Sequence, residues 1–282
     1  MTPIVFLLAL FATSVGAGVI GAVLGLGGGI LLVPVLTTVF GVNLHYAMGA
    51  SIIAVIATSS GAAASYLRSG LSNLRVGLFL AVATVAGAVI GASLSGIAPA
   101  RVLELILGIA LAYSVVVTFR QLRLDVPEAL PPDALALRFG LEGRYYDRRL
   151  DREVTYRVTR VRSGLAVMFG AGLLSGLLGI GSGAFKVLAL DYFMRLPMKV
   201  STATSNFMIG ITAAAGAAVY FGRGDIHPVI ATPVALGVLL GAYLGTRLIG
   251  RLRNTTVRAL FLPVIVYLAL AMMARGFGLR LP

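Results

Sequence analysis

Leu24-Gly25-Leu26-Gly27-Gly28-Gly29 and Leu178-Gly179-Ile180-Gly181-Ser182-Gly183 are one phrase written twice, 154 residues apart. Extended without a gap, Leu24–Gly96 falls on Leu178–Gly250 with 18 identities in 73 positions, seven of them glycine. Each glycine costs a helix interior about 1 kcal/mol relative to alanine, so clusters this dense interrupt a helix. Both sit inside apolar runs, Ile4–Phe40 and Gly164–Met194, that exceed the roughly 20 residues of one bilayer crossing. In hydrocarbon an unwound backbone is tolerated only against protein or a water-filled cavity. Two breaks at matched positions predict a duplicated membrane unit around a central polar cavity, the pattern of secondary transporters.

Working outward, six further apolar stretches follow: Tyr46–Tyr66, Leu74–Ile97, Val102–Phe119, Val200–Phe221, Ile226–Ile249 and Thr256–Ala274. Mean hydropathy is +0.98. Only 12% of residues are charged, about half the share in a soluble domain. Barrel strands are about 10 residues long and alternate polar with apolar, so the expected class is an all-α polytopic membrane protein. The halves span 1–119 and 163–282 and flank a polar linker, 120–162. Within the linker Val154, Tyr156 and Val158 alternate as in a short strand, while Leu130-Pro131-Pro132 and Glu142-Gly143-Arg144 read as turns. A solvated connector is the expected role, with a small cytoplasmic interaction module as the alternative.

The net charge of +13 does not imply nucleic acid. Ten of the 23 basic residues lie in the linker, mixed with seven acids, and the others sit at the ends of apolar stretches. That is the positive-inside pattern, with the basic excess facing anionic cytoplasmic lipid. If every stretch crosses once, the remaining basic residues divide almost evenly. If each broken stretch dips in and returns, Arg68, Arg75, Arg195, Lys199, Arg247, Arg251 and Arg253 join the linker's side. Arg101, Arg223, Arg275 and Arg280 then face the other way. The second arrangement fits better. It gives each half a re-entrant segment plus three crossings, and an odd number of crossings inverts one half relative to the other. The basic-poor start, Met1–Pro3, and the long apolar run behind it predict no cleaved signal. Cysteine is absent. With no clustered carboxylates beside His45 and His227, no metal site is expected, and no cofactor.

A re-entrant hairpin offers the N-terminus of its second half-helix, with free N–H groups and partial positive charge, to an anion. Gly27, Gly28, Gly29, Gly181, Ser182 and Gly183 are the candidates. The spaced pairs Gly21/Gly25, Gly87/Gly91, Gly172/Gly176 and Gly241/Gly245 read instead as close helix packing. Ser51 and Thr58 share a helix face, as do their identical mates Ser205 and Thr212. Ser51, Thr204, Ser205 and Asn206 are candidate ligand groups, whereas Thr58 and Thr212 divide between ligand and interhelical bonds. Lys186 follows the second break, and its mate is Leu32. A lysine near the bilayer centre costs about 2.5–3.5 kcal/mol on insertion scales. It is either an anion ligand, one half of a structural pair with Asp191, or a lysine that snorkels to the membrane surface. Glu104 is expected to pair with Arg101. No nucleotide loop, catalytic triad or carboxylate pair is present, so no enzyme is expected.

Gly25-Leu26-Gly27-Gly28-Gly29 with Pro34, together with Lys186-Val187, Pro197-Met198-Lys199-Val200 and Ala203-Thr204-Ser205-Asn206-Phe207-Met208-Ile209-Gly210, resembles the sulfite exporter TauE/SafE family. The likeness spans both halves. Ser182 and Leu188 stand where the family more often has glycine and proline. The resemblance implies a multi-pass permease of a bacterial or archaeal inner membrane, with the linker cytoplasmic. It would move sulfite, sulfonates or sulfoacetate by alternating access at a midplane site, with a proton or sodium ion as the open choice of coupling ion. The alternatives are a passive anion channel and a non-transporting scaffold acting through the linker.

Overall fold

The computed structural model describes residues 2–24, 27–120, 133–147, 152–248 and 254–279. Gly25, Leu26, Arg251, Arg253, Arg280 and the turn expected at Leu130-Pro131-Pro132 lie outside them. The first half contains α1 (Pro3–Leu24), α2 (Gly29–Thr38), α3 (Leu44–Arg68), α4 (Leu74–Ser95) and α5 (Ala100–Arg120). The linker contributes α6 (Ala134–Arg138), β1 (Gly143–Asp147) and β2 (Arg152–Tyr156). The second half contains α7 (Val161–Leu178), α8 (Gly183–Leu188) continued by a π-helical turn at Ala189–Phe193, α9 (Met198–Gly222), α10 (Pro228–Leu248) and α11 (Asn254–Gly276). Gly29 and Gly183, Leu44 and Met198, Leu74 and Pro228, and Ala100 and Asn254 all open helices. Each pair is separated by the same 154 residues as the sequence repeat. Among the described residues six helices are long and apolar enough to cross a membrane: α1, α3, α4, α7, α9 and α10.

Local chemistry sets these boundaries. Pro3 and Pro228 open their helices at the position where a missing N–H costs nothing. Asn73 caps α4, its Oδ1 accepting from Val76 N at 3.0 Å. The glycine clusters end α1 and α7, and there the chain folds back. The Phe6 and Phe40 rings, 5.8 Å apart, close the open end of the first hairpin. Thr159 N donates to Met194 O at 3.2 Å at the open end of the second.

The packing pattern is unchanged when the halves are exchanged. Helix α1 lies on α10 as α7 lies on α4, and α3 with α9 and α5 with α11 pair across the centre. The α1–α10 and α4–α7 seams are backbone to backbone. A Cβ at Gly241 would lie 2.1 Å from Val15 O, and one at Gly91 2.1 Å from Leu173 O. Gly237, Gly241 and Gly245 meet Phe11, Val15 and Val19 in rising order, so α1 and α10 run parallel. Gly172 against Thr84 and Gly176 against Ala88 make α7 and α4 parallel too. In contrast, α3 and α9 are antiparallel, since Gly49 meets Asp225 while Ser59 reaches Gly210.

Arginines gather at the two ends of the bundle. At one end Arg223 Nη2 pairs with Asp225 and donates to Ser95 Oγ at 3.0 Å. At that same end Arg275 pairs with Glu104 at 3.2 Å and donates to Thr37 O at 2.8 Å. The expected Arg101–Glu104 pair is therefore replaced by a tertiary one. The less exposed Arg275 neutralises the buried carboxylate and satisfies the last turn of α2 as well.

At the other end the described residues of the linker, 133–147 and 152–162, pack as a small folded module, and the strand expected around Val154 and Tyr156 forms as β2. Glu142-Gly143-Arg144 is not a turn, because Gly143 and Arg144 begin β1, which pairs antiparallel with β2. Gly143 lies opposite Tyr156, and a Cβ there would be 2.3 Å from the Tyr156 hydroxyl. Asn73 Nδ2 donates to that hydroxyl at 2.9 Å and to Leu141 O at 3.1 Å. Burial raises the Tyr156 pKa, which keeps the hydroxyl protonated. Ala136, Leu141 and Val158 enter a core with Val76, Leu80, Met194 and Val200. We expect Gly241→Ala to destabilise the fold by about 1–3 kcal/mol through overpacking. Gly170→Ala, with open space around its Cβ, should be neutral. Thermal unfolding in detergent compares the two.

Candidate functional site

The two glycine breaks meet. A Cβ at Gly29 would lie 3.0 Å from Ile180 O, and Ser51 Oγ donates to Gly179 O at 2.8 Å and Gly29 O at 3.2 Å. One hydroxyl of the first half thus bridges the two breaks, its single proton directed chiefly at Gly179 O, the nearer carbonyl. Its mate Ser205 reaches Gly183 O at 3.4 Å. Val55 and Ile209, also repeat mates, pack between the breaks. A Cβ at Gly27 would lie 3.3 Å from Ile209, and one at Gly181 2.7 Å from Val55. Both glycines have φ +76°, so conformation and space each exclude a side chain.

The second break is the more polar. Ser182 occupies the place of Gly28 and is left-handed at φ 47°, a strained state for a non-glycine residue. Neither Gly28 nor Ser182 caps its half-helix through a side chain. The Ser182 hydroxyl and Asn206 Oδ1 are buried without a hydrogen-bond partner among the described residues. Asn206 Nδ2 is spent on Thr202 O at 3.1 Å, one turn back. Ser182 on the break and Asn206 on α9 thus each keep a buried polar atom unused among the described residues.

Lys186 is fully buried. Its Nζ donates to Thr212 Oγ1 at 2.9 Å and to Gly181 O at 3.3 Å. Thr212 in turn bonds Thr84 Oγ1 at 3.0 Å and Met208 O at 2.7 Å. Asp191, on the π-helical turn, has Arg195 as its electrostatic neighbour, and among the described residues no carboxylate pairs with Lys186. The alternative of a Lys186–Asp191 pair is not what the fold builds. Thr84 and Thr212 join the site although the sequence did not single out Thr84, whose mate is Val238. For Thr212 the signal was its identity with Thr58, which bonds only Ala54 O at 2.9 Å. Thr204 faces elsewhere, its Oγ1 accepting from Asn73 N at 3.0 Å.

The sulfite exporter TauE/SafE family model matches residues 10–272. The chain belongs to that family. Among TauE/SafE relatives, it is 25% identical over 92% of its length, and 94% of the other's, to probable membrane transporter protein YunE of Bacillus subtilis. It is 28% identical to YdhB of the same organism, another probable membrane transporter protein, over 82% of this chain and 85% of that one. A probable membrane transporter protein of a Sinorhizobium species, ORF9, is 27% identical over 94% of this chain and 91% of its own. No solved structure matches. The chain is thus a multi-pass membrane transporter by family. Ser51→Ala would strip both breaks of a buried donor, and an unsatisfied buried carbonyl costs about 1–3 kcal/mol. We expect a loss of thermal stability of that order, and a smaller one for Ser205→Ala, whose bond is longer.

Proposed function

We propose that this TauE/SafE protein is a secondary transporter of small sulfur-containing anions such as sulfite or organosulfonates, held where the two glycine breaks meet. Lys186 carries the reading: a fully buried ammonium whose protein partners are a carbonyl and a hydroxyl. A charge removed from water needs a counter-charge, and an anionic substrate supplies it. Ser182, Gly183, Ser205 and Asn206 surround the same break, and Gly27, Gly28, Gly29 and Ser51 contribute the facing side. The uncapped start of α2 adds partial positive charge.

The halves act as inverted repeats in an inner membrane, with the linker cytoplasmic. Helix directions support this. Parallel α1/α10 and α4/α7 with antiparallel α3/α9 make each of these helices run opposite to its repeat mate. Charge supports it as well, because Arg223 and Arg275 share one end while Arg75 and the linker share the other. Alternating access then rocks one half against the other around the fixed breaks. The coupling ion, proton or sodium, is read out by the dependence of counterflow on each gradient.

Two experiments test the reading. In proteoliposomes, Lys186→Met should weaken sulfite or sulfonate binding tenfold or more, about 1.4 kcal/mol. Lys186→Arg should restore it only in part, since a planar fork replaces a compact ammonium. Normal transport by a merely less stable Lys186→Met would assign the lysine to structure. The chain has no cysteine, so single cysteines report topology directly. At Ala100 and Gly222 they should label from the extracytoplasmic side, and at Arg144 only from the cytoplasm. Labelling of Ala100 and Gly222 from opposite faces contradicts the inverted arrangement.

A further inference from the structure

Beside α4 the linker module exposes large apolar side chains. Ala136 of α6 is buried, yet Leu137 and Phe139 are 57% and 49% exposed. The Phe139 ring lies 4.9 Å from that of Phe79, on the second turn of α4. Around Phe79 the outer face of α4 is apolar and bare: Leu74, Leu78 and Val82 are all exposed. That helix is long and apolar enough to cross a membrane, so this face meets lipid. Phe139 joins that surface through Phe79, near the start of the helix, and the exposed Leu137 lies two residues before it in the chain.

The charges beside them have one sign. Arg138 lies between the two apolar residues in sequence. Arg75 Nη1 reaches Gly140 O at 3.4 Å, which places its guanidinium against the residue after Phe139. Among the described residues the linker's carboxylates pair elsewhere, Glu153 with Arg144 and Glu142 with Arg157. Neither Arg75 nor Arg138 has an acidic partner there. Apolar side chains at headgroup depth flanked by free basic groups are the recipe for interfacial binding to anionic lipid. A five-residue helix cannot bind a bilayer by itself. Here the fold holds it in place. Asp133 caps α6 through Leu135 N at 3.1 Å and also accepts from Val161 N at 2.9 Å, while Asn73 grips Leu141 O.

We propose that Leu137 and Phe139, flanked by Arg75 and Arg138, form an interfacial anchor that seats the linker module on an anionic phospholipid leaflet. The inference rests on packing and charge at the linker end and not on any substrate. The chain has no tryptophan, so Phe139→Trp introduces a single fluorophore at the anchor, and Leu137→Trp gives an independent second position should the first fold poorly. The full-length variants are placed in nanodiscs of phosphatidylcholine with or without phosphatidylglycerol. Blue-shifted emission is expected. Lipid brominated near the headgroup should quench it more than lipid brominated near the chain end. Adding Arg75→Gln and Arg138→Gln should reduce quenching in discs containing phosphatidylglycerol. Water-like emission unquenched by either lipid, in both tryptophan variants, overturns the anchor. Quenching that ignores phosphatidylglycerol and both arginines overturns its anionic preference. Blue-shifted emission without quenching, in discs holding two chains, assigns the patch to a second copy instead.

Discussion

Ser51 Oγ bonded to Gly179 O and Gly29 O is the contact on which the centre of the molecule depends. A helix broken inside an apolar layer frees carbonyls that have no water to turn to. Each such group left alone costs about 1–3 kcal/mol, so a broken helix survives there only if a donor is delivered to it. The fold delivers donors from across the chain. Ser51 on α3 serves Gly179 O at the end of α7 and Lys186 serves Gly181 O, while the further contacts of Ser51 to Gly29 and of Ser205 to Gly183 tie α3 and α9 to the first turns of α2 and α8. The breaks are consequently held against α3 and α9 instead of being loose ends.

That delivery requires the four central elements to be close, and small residues make the approach. At Gly87, Gly91, Gly172 and Gly176 the backbones of α4 and α7 come within a distance that leaves no room for a Cβ, and the same holds for Gly18 and Gly241 between α1 and α10. In lipid, where apolar burial gives little drive for helices to associate, such close contact supplies the packing energy. Parallel seams of this kind tie each broken segment of one half to an unbroken helix of the other. The halves therefore cannot fold as independent bundles.

What the sequence revealed follows from the kind of signal each feature leaves. The repeat was legible because glycine at Gly27 and Gly181 answers two demands at once, a left-handed φ and a missing Cβ, and no other residue meets both. Helix openings 154 residues apart follow from the same repeat. In the linker the alternation of Val154 and Tyr156 did announce a strand, which is β2, but the turn read at Glu142-Gly143-Arg144 failed because the information there is tertiary. Gly143 suggests a turn to a local rule, but it is glycine because the Tyr156 hydroxyl passes over it towards Asn73. Glu104 obeyed the nearest-neighbour rule on paper, yet Arg275 arrives from the far end of the chain and bonds both Glu104 and Thr37 O on α2. At the site, Lys186 stood out as the one charge beside a break. Thr84 had no sequence signature at all, since a hydroxyl one residue type away from its apolar mate Val238 looks like ordinary membrane-helix composition.

The departure from symmetry at Lys186 is as informative as the symmetry. Leu32, its mate, is buried in the apolar core, and Thr58, the mate of Thr212, bonds only its own helix. A second lysine in place of Leu32 would have set two like charges on either side of the meeting breaks. In a medium of low dielectric their repulsion would be large and unscreened. One cation with one hydroxyl partner keeps the core neutral on one side and polar on the other. The glycine breaks can then remain equivalent in backbone shape, φ +76° at both Gly27 and Gly181, while a single charge distinguishes the two faces. Under the proposed function, that difference is what would orient an anion held at the breaks: the duplicated backbone would supply the place, and the unduplicated Lys186 the direction.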